Sequence, residues 1–91
     1  MELKDFVVQP CKSRMAFEFL PKKKDSLEIE KICANLKRSG IEIEVETAFL
    51  LVARIEKHGI SVFKSGKIIV KDCENEKDAR KTAELLIHKM Q

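Results

Sequence analysis

Two apolar runs, Ile60-Ser-Val-Phe-Lys64 and Lys67-Ile-Ile-Val-Lys71, are separated only by Ser65-Gly66. A two-residue gap containing glycine between β-favouring runs predicts a hairpin, because glycine adopts the positive φ that tight hairpin turns demand. The chain then enters Asp72-Cys-Glu-Asn75, where the asparagine is placed to cap a helix with Asp78 in its first turn. Ala79, Ala83, Leu86 and Met90 follow at helical spacing and give that helix one apolar stripe. A hairpin running straight into an amphipathic helix needs a sheet on which the helix can lie.

The rest of the chain extends this pattern. Residues 1–12 read as an N-terminal arm or an extra short strand, with Phe6-Val7-Val8 stopped by Pro10, and residues 13–91 as a single domain. Met15-Ala-Phe-Glu-Phe-Leu20 predicts a strand ended by Pro21. Asp25 followed by Glu28 matches a capping box. Ile29, Ile32, Cys33 and Leu36 then share one helical face, and Gly40 suits the left-handed position after the last turn. Ile41-Glu-Ile-Glu-Val-Glu46 alternates strictly and predicts a half-buried strand, with Ile41, Ile43 and Val45 inward and the three glutamates outward. Residues 48–55 are apolar on both faces and read as an interior strand, with Lys57-His58-Gly59 as the turn that follows. The order β-α-β-β-β-β-α has three successive hairpin links, which require a mostly antiparallel sheet. The expected fold class is α+β: five strands in one layer with two helices on one face.

Strand parity then divides the sheet. Phe49, Leu51, Ala53, Ile55, Ile60, Val62, Ile68 and Val70 are expected beneath the helices. Ala48, Leu50, Val52, Arg54, Ser61, Phe63, Lys67, Ile69 and Lys71 are expected on the open face, with Glu42, Glu44 and Glu46 towards its rim. Leu50, Val52, Phe63 and Ile69 would make an apolar patch too large for ordinary solvent surface, which marks an interaction site.

Composition narrows the functional classes. The chain carries 18 basic and 15 acidic residues, a net charge of +3, so a nucleic-acid partner is permitted but not required. Charged residues make up 36% of it, against about 25% in an average domain, and their Lys/Glu bias is thermophile-like. Cys11, Cys33 and Cys73 show no CxxC spacing. A site joining them to His58 or His88 is conceivable, but no metal or cofactor is assigned. His58 reads as a solvated turn residue, and His88 as a cation complementing the end of the second helix. No nucleophile elbow, Walker loop, HExxH or Rossmann pattern occurs, so the expectation is a protein that is not an enzyme. The N-terminus has no long apolar core, so no membrane partner is expected and the cytoplasm is the expected compartment.

Val62-Phe63-x-Ser65-Gly66-Lys67-Ile68-Ile69-Val70, the Ala79-Arg80-x-x-Ala83 helix and Val52-Ala53-Arg54-Ile55 resemble one repeat of a TATA-box-binding protein across roughly residues 15–90. The strand-turn-strand pattern is also similar to the N-terminal domain of ribonuclease HIII. The resemblance implies a half-repeat whose open face meets the minor groove, with Phe63 as a wedge, Arg54 on a phosphate and Ile69 on the groove floor. The chain departs from the pattern at Ala48, where a second wedge phenylalanine is expected, at Ser61 for a leucine and at Lys71 for a threonine. The groove-reading asparagine of the first strand has no counterpart. These departures, with the row of glutamates, argue against a reader of the TATA sequence itself.

The expected function is therefore a non-catalytic module binding DNA or RNA through Arg54, Phe63, Lys64, Lys67, Ile69 and Lys71. The alternative is a domain docking another protein on the same apolar face. Two repeats of the family join through their first strands, so a lone repeat would expose strand 15–20 as an edge. A homodimer paired there through Met15, Phe17 and Phe19 is the corresponding expectation.

Overall fold

β-branched and aromatic residues recur through the strand segments, and links of two to four residues make the last four strands lie side by side. The computed structural model describes residues 2–11, 15–24 and 26–91. A short 3-10 turn, Leu3–Asp5, leads into β1 (Phe6–Pro10), β2 (Phe17–Pro21), α1 (Ile29–Arg38), β3 (Glu42–Glu46), β4 (Leu50–Ile55), β5 (His58–Phe63), β6 (Ile68–Val70) and α2 (Glu76–Met90). The six strands form one antiparallel sheet in the order β1-β2-β6-β5-β4-β3. The α+β class and the two helices agree with the expectation; the sheet has six strands rather than five.

The sixth strand is β1. It pairs along the whole of β2, from Phe6 opposite Pro21 to Pro10 opposite Phe17. This corrects the expected dimer edge. Strand 17–21 has β6 on one side and β1 on the other, so its backbone groups are already paired. Phe19 is fully buried in the core, Phe17 is half-buried against it, and Met15 sits in the preceding turn at φ 61° rather than in a strand. The exposed sheet edge on this side is β1.

Both helices cover the same face. Ile29, Ile32, Cys33 and Leu36 of α1 and Ala79, Ala83, Leu86, Ile87 and Met90 of α2 share one core with Phe6, Phe19, Leu51, Ala53, Ile60, Val62, Ile68 and Val70. The Asn35 side-chain amide donates to the Met90 carbonyl at 2.8 Å and ties the two helices together. α1 starts at Ile29 with Glu28 as its N-cap, so Glu28 does not occupy the expected capping-box position; Asp25 lies outside the described residues. α1 stops as expected. Gly40 (φ 82°) donates to the Lys37 carbonyl and Ile41 to that of Leu36, the paired bonds of a Schellman end. Asn75 caps α2 by accepting from the Asp78 amide at 2.8 Å.

Four local expectations fail, each for a backbone reason. The register slips between Ile43 and Val45, a bulge that breaks the alternation of β3. Val45 is thereby opposite Val52 and exposed, while Glu46 is opposite Leu51 and acts on Cys33 of α1. Phe49 precedes β4 and is 69% exposed instead of entering the core, because Thr47, Ala48 and Phe49 form the connection, closed by Thr47 hydroxyl contacts with Phe49 and Leu50. The β4–β5 turn is Glu56-Lys57, with Glu56 at φ 55°, so His58 pairs with Ile55 as the first residue of β5 and is buried. Gly59 accordingly lies within β5 opposite Arg54, not in a turn.

Candidate functional site

Pairing registers place the open face residue by residue, since directly opposed residues of an antiparallel pair point the same way. One row crosses the entire sheet: Gln9, Glu18, Ile69, Ser61, Val52 and Val45. A second contains Val7 opposite Leu20 and Leu50 opposite Phe63. A third contains Gly59, Arg54 and Glu42. Leu20, Leu50, Val52, Phe63 and Ile69 are only half-buried, whereas their strand neighbours Phe19, Leu51, Ala53, Val62, Ile68 and Val70 are fully buried beneath the helices. The apolar patch inferred from parity is thus present, and Leu20 and Val7 extend it across β1 and β2.

The charged rim is less cationic than the sequence alone implies. Lys67 Nζ lies 5.2 Å from the centroid of the Phe63 ring, a cation–π arrangement, and 3.7 Å from Glu18 Oε1. Glu18 also accepts from the Gln9 amide at 3.1 Å. That bond, reinforced by the Lys67 charge, holds the Glu18 carboxyl below its ordinary range. Arg54 Nε lies 3.5 Å from Glu44 Oε2. Lys64 stands 5.8 Å over the ring of Phe49, and Lys71 is exposed just past β6, donating its backbone amide to the Gly59 carbonyl. Arg54, Phe63, Lys67 and Ile69 therefore share one face, with Lys64 in the hairpin turn and Lys71 at the far end of β6. Of the expected outward row of glutamates, Glu42 and Glu44 accompany Arg54, and Glu46 has left the face.

The hairpin that carries much of this site forms where its sequence places it, but its loop is Lys64-Ser65-Gly66, one residue longer than expected, because Phe63 rather than Lys64 meets Lys67. Phe63 donates to the Lys67 carbonyl, Gly66 donates to that of Phe63, and Gly66 takes φ 97°, a conformation strained for any residue with a Cβ.

The candidate cysteine site does not assemble. Cys33 faces the core from α1, and Cys11 follows β1 with its thiol 3.7 Å from Glu18. Burial, then the hydrogen bond to the Glu46 carboxylate and its charge, pushes the Cys33 thiol up. His88 is exposed in the last turn of α2. Only Cys73 and His58 come together, and they do so with Asp78, a residue the sequence offered only as an acid in the first turn of the second helix. Glu18 was likewise missed. Its alternation within Met15–Leu20 is visible, but its place beside Ile69 depends on a pairing between segments far apart in the chain.

A one-layer antiparallel sheet with its helices on one side and an apolar, rimmed face on the other defines a binding-type α+β domain. The family model described as transcription factor TFIID, or TATA-binding protein, matches residues 21–91. The chain belongs to the TATA-binding protein family, with a single repeat's worth of sequence, and β1 precedes the matched segment. No curated protein and no solved structure matches the chain. Among the described residues no helix is long and apolar enough to cross a membrane. Family and fold together support a DNA-binding or interaction module.

Proposed function

We propose that the domain is a non-catalytic module that binds nucleic acid on its open sheet face, reading shape and phosphate rather than base sequence. The observation that carries this reading is the half-buried apolar patch of Leu50, Phe63, Ile69 and Val52 with Arg54, Lys64, Lys67 and Lys71 around it. The family's description names a DNA element as the target of its members, and this face is the one that the family resemblance assigns to the minor groove. An apolar sheet with a half-exposed phenylalanine suits a widened minor groove, where side chains wedge between base steps and the edge pattern is nearly degenerate. Lysines at the rim would meet the phosphates.

The magnitude of the electrostatic contribution separates this from its competitor. If Lys67 and Arg54 stay with Glu18 and Glu44, Lys64 and Lys71 remain to neutralise phosphate. The slope of log K against log salt should then be on the order of −2, rising towards −4 if all four are recruited. Binding of mixed-sequence duplex DNA and single-stranded RNA, measured across a salt series, should show such a slope. It should be lost in the Lys67→Glu/Lys71→Glu double variant. A flat salt response, or binding untouched in that variant, would overturn the nucleic-acid reading.

The second reading, docking of another protein, is favoured by one observation: the Glu18–Lys67 and Glu44–Arg54 pairs leave the centre of the face close to neutral. A neutral apolar surface of this kind suits a protein partner better than a polyanion.

A further inference from the structure

We infer that His58, Cys73 and Asp78 form a binding site for a zinc-like divalent cation where the start of β5 meets the start of α2. One ligand atom from each residue lies within 4.8 Å of the other two. They come from three separate devices of the backbone. The tight Glu56-Lys57 turn sets His58 at the head of β5. Asp72, at φ 60°, reverses the chain after β6 and turns Cys73 inward. The Asn75 cap fixes the first turn of α2 and with it Asp78.

Each member is placed as a ligand rather than as a surface group. His58 is 3% exposed, and its Nε2 lies 2.9 Å from Asp78 Oδ2. Its Nδ1 is buried with no hydrogen-bond partner among the described residues, an unmet polar atom of a kind that folded proteins rarely keep. Nε2 is the ring nitrogen that faces Asp78, and it would exchange that contact for a cation shared with Asp78 and Cys73. The Cys73 thiol is buried beside the carbonyl oxygens of Val70 (3.4 Å) and Lys71 (3.8 Å). Burial, and then the charges of Asp78 and Asp72, push that thiol up to about 11. The two carboxylates that oppose a thiolate there, Asp78 and Asp72, favour a cation at the same place. Asp78 Oδ2 also accepts from the Glu74 amide at 3.0 Å, which anchors the carboxylate.

The donor set selects the metal. One nitrogen, one sulfur and one carboxylate oxygen suit borderline-soft zinc or cobalt(II), whereas magnesium and calcium take oxygen ligands. Donors on one tetrahedral zinc lie about 3.3–3.7 Å apart, so donor separations of up to 4.8 Å must shorten while the His58–Asp78 pair, at 2.9 Å, opens slightly. Three protein donors leave a fourth position for water or an outside ligand.

The test is titration of the reduced full chain with Co2+ alone, followed by displacement with Zn2+. We expect a thiolate-to-cobalt charge-transfer band and four-coordinate visible bands saturating at one equivalent, both erased by one equivalent of Zn2+. The charge-transfer band should vanish in Cys73→Ser and persist in Cys11→Ser. Should Cys73→Ser fail to fold by circular dichroism, Asp78→Asn carries the test, with Co2+ affinity expected to fall at least tenfold. No charge-transfer band in the folded wild type, a band unchanged in folded Cys73→Ser, or full affinity in Asp78→Asn would each overturn the site.

Discussion

Leu50 and Leu51 are neighbours on β4, chemically identical, and belong to different worlds. Leu51 points under the helices and is fully buried; Leu50 points the other way and is half-buried against Phe63. The same contrast runs across the sheet, with Ala53 against Val52, Val62 against Phe63, and Ile68 against Ile69. Hydrophobicity alone does not separate the two sets; parity and helix position do. One face is spent on stability, and the other keeps apolar area that no described residue covers.

The largest expected effect exploits that pair. Leu51→Ala should cost about 2–5 kcal/mol, the transfer and cavity penalty of a core leucine. Leu50→Ala should cost about 1 kcal/mol or less, as for a partly exposed position. Urea unfolding of both variants measures the difference directly, and equal losses would mean that the two faces are packed alike. A smaller effect concerns the open face alone. The Glu18 carboxyl, held low by Gln9 and then Lys67, should titrate below an ordinary glutamate, and Gln9→Ala should move it back up. Because the folded value is the lowered one, its contribution to stability is present above the ordinary glutamate range and fades as pH falls through the lowered value. Carboxyl chemical shifts followed against pH would show an unshifted Glu18 if the Gln9–Glu18–Lys67 group does not persist in solution.

The sequence made the sealed face more legible than the open one. The stripes of α1 and α2, the Gly40 end, the Asn75 cap and the Ser65-Gly66 hairpin rest on contacts a few residues apart, and short-range patterns record those well. β1 was harder to read, because Phe6-Val7-Val8 is short and its partner, Phe17–Pro21, must first be in place. The bulge after Ile43 and the positive φ of Glu56 leave no compositional trace, and they displaced Val45, Glu46 and His58 from their expected positions. Of the candidate site, Arg54, Phe63, Lys67 and Ile69 were found because parity on β4, β5 and β6 is local. Glu18, which counters Lys67, and Asp78, which meets His58 and Cys73, depend on tertiary pairing and were not.

The central claim is that the uncovered sheet face is the surface this domain binds with. Methyl-resolved NMR during titration with mixed-sequence duplex DNA and single-stranded RNA tests it most directly. The account predicts shifts concentrated at Leu20, Leu50, Val52 and Ile69, with Leu36, Leu86 and Ile87 unmoved. Shifts centred on α1 or α2, with the open-face methyls silent, would contradict it.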